Sequence, residues 1–210
     1  IGMFALGMDA YIVAGLIPSI SKSFNKSSSA IGQGVTVFTL FFSISAPIFS
    51  TILAKSPVKK ILIIALSVFT LSNIITAISM NYMLYIVSRA IAGLGAGVFS
   101  PIAISASNHL VSEKNKGKAI AFTVGGMSVG TVIGVPLGLE IANISNWRFA
   151  MLIIIVISFI ALISISILMP KFKIETPPNL KDRFQLFLNK HVLRVISVTL
   201  CAAIASLGLY

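Results

Sequence analysis

Long stretches of this chain contain no Asp, Glu, Lys or Arg: 30–54, 61–88, 90–108, 119–139 and 149–170. A helix that crosses a bilayer needs roughly 20 such residues. Residues 1–21 form a similar run that carries one charge, Asp9, and 195–210 begins another. Backbone N–H and C=O groups cannot stay unpaired in hydrocarbon, so each run is expected to be a helix. Composition agrees: 10% of the 210 residues are charged, against about a quarter in soluble domains. The expected fold class is an all-α membrane protein. Its spans lie near 1–21, 30–54, 61–79, 83–109, 118–140 and 148–169. This gives a six-helix domain over 1–169, an intervening loop over 170–192, and the start of a seventh helix over 193–210. A chain that begins and ends inside apolar runs reads as part of a longer protein.

The net charge of +11 is placed unevenly. "KSPVKK" at 55–60 holds three lysines, "VSEKNKGK" at 111–118 holds three, and 171–194 holds six Lys and Arg. The alternate loops hold only Lys22, Lys26 and Arg148. Lysine and arginine collect on the cytoplasmic side of a membrane. The chain start is therefore expected in the cytoplasm of a multi-pass protein of the plasma (inner) membrane. The basic residues answer to the lipid bilayer, and no nucleic-acid partner is expected. Ser29 is the expected N-cap of the second span. Residues 179–190 could form a short amphipathic helix or a plain linker.

Charges in a bilayer core cost about 2.5–3.5 kcal/mol each on insertion scales. Two stand out. Asp9, in "LGMDAYIVAGLIPSI", lies about 18 Å from the outer end of the first span, and Arg89, in "YIVSRAIAGLGAG", about 10 Å inside the outer end of the fourth. They can pair or share a water-filled cavity. The functional reading is a protonatable carboxylate in a transport path, loaded and released as its distance from the arginine changes. The plain reading is a structural pair. Asn73 is expected to hydrogen-bond between helices. Gln33 is a weaker candidate, and Glu140, His109 and His191 read as interfacial groups. No residue set has the spacing of a metal site, a nucleophile–base pair or a phosphate-cradling loop. An enzyme is not expected.

"GGMSVGTVIGVPLG" at 125–138 places Gly126, Gly130, Gly134 and Gly138 four apart, with Pro136 among them. Both residue types weaken a helix in water. Glycines four apart share one helix face and let another backbone approach closely. Proline leaves a carbonyl without its helical partner and permits a bend.

Taken together, these segments resemble the major facilitator superfamily, specifically the N-terminal half of its twelve-helix drug/proton antiporter branch. Asp9 stands nine residues before Pro18, similar to that family's first-helix motif. "SRAIAGLGAG" resembles the fourth-helix motif, with Arg89, Gly93 and Gly97 matching. Gly126, Gly130, Gly134, Pro136 and Gly138 match the fifth-helix antiporter motif, and "NWRFAM" follows it as in many members. The loop between the second and third helices departs. Lys59 and Lys60 match its basic pair, but Lys55 and Val58 stand where an aspartate and a glycine are usual. Sugar or arabinose efflux permeases look closer there.

The resemblance implies two inverted three-helix repeats, with Asp9 and Arg89 on equivalent helices. It implies export of a small organic molecule (a drug, sugar or metabolite) in exchange for protons. The proton is the coupling ion and no other cofactor is implied. The full-length protein would be a monomer. The fifth helix would face the other half of the transporter, its glycines and Pro136 forming a sliding gate. The alternative for the stripe is close packing inside the bundle. The alternatives for the whole are a uniporter or importer on the same fold, or a membrane scaffold that moves nothing.

Overall fold

Helix α1 (Gly2–Phe24) stops at Asn25, whose left-handed backbone (φ 50°) reverses the chain. Asparagine tolerates that conformation better than most residues. Helix α2 (Ser28–Ile52) follows at once. Its cap is Ser27, not Ser29, because Ser27 Oγ accepts from the Ala30 N–H at 3.2 Å. Helix α3 (Val58–Ile78) and helix α4 (Tyr82–His109) are joined by a very short turn, in which Asn81 caps α4 by accepting from the Leu84 N–H. The fifth span is built from α5 (Lys116–Val129), a π-helical turn (Gly130–Gly134) and α6 (Val135–Ile144). Asn146 caps α7 (Trp147–Leu168), and α8 (Lys190–Leu207) is the last helix.

This is a computed structural model, and it describes residues 1–53, 56–170, 172 and 190–207. Lys55 and the 179–190 segment, apart from Lys190, therefore lie outside the described residues. Six helical segments among those described are long and apolar enough to cross a membrane. The chain is an all-α, multi-pass membrane protein.

Two units are compact in themselves, Ile1–Ile174 and Glu175–Tyr210. The first takes in the chain just past α7, where the Phe172 carbonyl accepts from the Val58 N–H at 3.0 Å. That bond satisfies a donor left open at the start of α3. Within this unit α4 packs on α2 and α3, α3 on α7, and α1 on the fifth span. The largest fully buried side chains include Trp147, Arg89, Tyr85 and Phe69. Phe24 joins the ends of three helices, its ring 5.8 Å from Tyr85 and 5.9 Å from Trp147.

The π turn stands directly before Pro136. Proline has no N–H, and its ring would crowd the carbonyl of residue 132 in a regular helix. A wider turn relieves that crowding, and such single-turn π bulges are an established cause of altered helix direction.

Polar groups inside the bundle mostly bond to their own helices. Thr70 and Thr76 also reach across, to Ser158 Oγ and Ser88 Oγ. Asn73 departs from the expectation of an interhelical bond. Its amide donates to the Phe69 carbonyl of the same helix, and its Oδ1 has no partner among the described residues.

Candidate functional site

The site is built on two glycine-lined contacts. The first joins α4 to α2. A side chain at Gly93 would run into the Phe38 carbonyl, and one at Gly97 into the Phe42 carbonyl and Ser45 Oγ. The backbones of α2 and α4 therefore touch, as small residues allow. That contact puts the Phe38 ring over Arg89, with Cζ of the guanidinium 4.6 Å from the ring centroid.

The second contact joins α1 to the fifth span. A side chain at Gly130 would meet the Phe4 carbonyl, and one at Gly138 would meet Ile12. At Gly134 a Cβ would lie 2.9 Å from Met8 Cγ, and at Gly126 it would rest in ordinary contact with Met3. The fit is mutual, since a side chain at Gly7 would strike the Met127 carbonyl. Thr131 Oγ1 also donates to the Gly7 carbonyl at 3.3 Å. The stripe thus packs against α1 within the same six-helix unit. This is close packing inside the bundle, the alternative reading of the stripe. Spacing reveals a face that tolerates close approach, but not which helix approaches. Pro136 is exposed, on the side turned away from α1.

Between these contacts α1 presents Asp9 to α4. Arg89 Nη1 donates to Asp9 Oδ1 at 2.9 Å and to Oδ2 at 3.2 Å. The side chains are 1% and 0% exposed. The two charges pair directly, the first of the two arrangements open to the sequence. Arg89 Nε has no partner among the described residues. One turn earlier on α4, Tyr85 donates to the Ile31 carbonyl at 3.3 Å and fixes the α2–α4 contact near the starts of both helices.

A buried ion pair recovers its desolvation cost only with good geometry, and removing one partner leaves an unpaired charge. The pair is therefore a buried charge link between α1 and α4.

The remaining candidates lie apart from the pair. Lys59 and Lys60 start α3 at the opposite end from the Tyr82 turn. Gln33 accepts from Tyr82 Oη at 3.2 Å near the starts of α2 and α4. Glu140 is exposed and His109 ends α4. Arg148 carries a role that the sequence did not reveal. It donates through Nε to the Ala77 carbonyl at 2.9 Å and through Nη2 to the Ser79 carbonyl at 2.6 Å. It also lies over the Trp147 ring, and Trp147 Nε1 donates to Ser23 Oγ at 2.9 Å. The start of α7 thereby fastens the ends of α1 and α3. An arginine beside a tryptophan at a membrane interface was the available signal.

The family model described as Major Facilitator Superfamily matches residues 1–210. The chain is 30% identical over 196 residues to the uncharacterized MFS-type transporter YbcL of Bacillus subtilis, covering 93% of this chain and 50% of YbcL. It is 25% identical over 210 residues to the inner membrane transport protein YdhP of Escherichia coli, covering all of this chain and 54% of YdhP. The chain thus spans about half the length of the curated relatives it matches. In structure it resembles the E. coli xylose transporter XylE in an inward-open conformation, with a TM-score of 0.71 over 93% of this chain and 52% of XylE, at 17% identity. That likeness is one of fold.

Proposed function

The chain belongs to the major facilitator superfamily, and from that premise we propose that it is the N-terminal half of a secondary transporter, one that exports a small organic molecule in exchange for protons. The observation that carries this reading is the buried Asp9–Arg89 pair. Charge in a membrane core is costly and is kept where a pathway or relay needs it. Here α1 and α4 hold one carboxylate and one guanidinium against each other.

In this reading Asp9 binds the coupling proton and Arg89 governs when it does so. Protonating Asp9 removes the ion pair and frees α1 to move against α4. Restoring the pair expels the proton. Nothing more than a two-state rocking of packed helices is required. The charge bias of the loops supports a cytoplasmic chain start, with Lys59 and Lys60 on the same side of an inner membrane. Gly130 and Gly134, the first and last residues of the π turn, let α1 slide along the fifth span, so the gate works through α1. Drugs, sugars and other metabolites are the candidate cargo classes. The monomer is the expected working unit.

The test is proton movement in inverted membrane vesicles that contain the protein as its gene encodes it. Candidate substrates are added one at a time to the wild type and to Asp9→Asn. The expected result is proton release triggered by substrate and absent in the variant, because Asn keeps the hydrogen bond to Arg89 but cannot titrate. Release that survives the substitution would move the coupling carboxylate elsewhere. Labelled substrate that equilibrates without any proton movement would show a uniporter.

A further inference from the structure

A cavity of about 940 Å³ lies at the lysine-rich end of the bundle, away from the Asp9–Arg89 pair. That volume is within the range of about 300–1,000 Å³ typical of ligand pockets. Met3 and Phe4 of α1, Phe99 of α4, Leu110 at the cap of that helix, Phe122 of α5 and Ile165 of α7 contribute to its walls. Along α4 the lining runs from Phe99 to Leu110. At 1.5 Å per residue this is about 16 Å, close to half of the roughly 30 Å hydrocarbon core. The cavity is as deep as one leaflet.

Its chemistry is that of hydrocarbon. The hydroxyls in its walls are already used: Ser107 donates to the Ile104 carbonyl, Thr123 to Ala119 and Ser164 to Ile160. A polar solute would find little to bond. Gly125 is informative as well. It lines the cavity, and a Cβ there would meet nothing within 4 Å. Close approach of another helix explains Gly130 and Gly134, but not Gly125.

The rim is basic. Lys114 lies in the short 3-10 turn Glu113–Asn115 that joins α4 to α5. Lys118 stands three and four residues before the lining residues Ala121 and Phe122, hence on the same helix face one turn nearer the membrane surface. Lys116 is paired with Glu113, whereas Lys114 and Lys118 have no ion-pair partner among the described residues. We propose that this groove holds one acyl chain of an anionic phospholipid, its phosphate lying between Lys114 and Lys118. Basic pockets between membrane helices recognise anionic headgroups in this way.

The experiment is native mass spectrometry of the protein as its gene encodes it, released from vesicles of equal phosphatidylglycerol and phosphatidylethanolamine. The wild type is expected to retain phosphatidylglycerol over phosphatidylethanolamine. Lys114→Gln with Lys118→Gln is expected to lower that retention by about fivefold for each lysine removed. Gly125→Leu is expected to lower it as well, by filling the groove. If Gly125→Leu fails to fold, the lysine variant still decides, since Lys114 and Lys118 are exposed. Equal retention of both lipids, or retention that ignores both variants, would overturn the proposal. So would a cysteine at position 125 that cross-links to protein beyond Tyr210, since protein would then fill the groove. Displacement of the lipid by an apolar transport substrate would overturn it in favour of a substrate subsite.

Discussion

Gly130 lies against the carbonyl oxygen of Phe4, so close that even a methyl group at position 130 would force the two helices apart. Neither atom is chemically reactive, yet this contact helps set where α1 sits and therefore where Asp9 meets α4. The same glycine run holds a control. Five residues earlier, Gly125 has open space where its side chain would be.

These two glycines are expected to respond in opposite ways to alanine. Gly130→Ala overpacks the α1 contact and should cost about 1–3 kcal/mol. Gly125→Ala meets nothing and removes a flexible residue from a helix, so it should be neutral or stabilising by up to about 1 kcal/mol. Thermal unfolding in detergent, followed by size-exclusion chromatography, measures both. A Gly130→Ala variant as stable as the wild type would mean that α1 does not lie on the stripe.

Arg89→Gln strands Asp9 in the bundle interior and should destabilise by about 3–5 kcal/mol. Combining it with Asp9→Asn removes the stranded charge and should recover much of that loss. A double-mutant cycle on apparent melting temperature reads the coupling. Additive effects would show that the two side chains do not interact.

Phe38→Leu keeps an apolar side chain but removes the ring from above Arg89. The expected cost is about 0.5–2 kcal/mol, the range for a cation–π contact from exposed to desolvated sites. Thermal unfolding of Phe38→Leu in the Arg89→Gln background is the control. The substitution should cost less there, because the cation is gone.

Arg148→Gln abandons the charged donors on the Ala77 and Ser79 carbonyls. Each hydrogen bond from a charged group is worth about 1.5–3 kcal/mol net, with partly exposed examples at the low end. The C-terminal end of α3 should loosen first. Hydrogen exchange at residues 74–81 is the measurement, and unchanged protection there would remove Arg148 from its fastening role.

Several features were legible without a fold. An uncharged run of bilayer length has one way to satisfy its backbone, so the six spans were readable from Asp, Glu, Lys and Arg alone. The cost of intramembrane charge singled out Asp9 and Arg89 equally well. Spacing of four identified Gly126, Gly130, Gly134 and Gly138 as one face of a helix. In each case the signal is local, because it depends on one segment and its surrounding solvent.

Partnership was decided by the tertiary structure. Asp9 and Arg89 are 80 residues apart and meet because glycine contacts bring α1 against the fifth span and α2 against α4. The stripe packs on α1. Asn73 bonded to its own helix, and Arg148 reached the end of α3. Lipid offers helices little hydrophobic reason to prefer one neighbour over another, so shape and a few hydrogen bonds choose between faces of similar polarity. That choice depends on every helix at once, and no single stretch of sequence contains it.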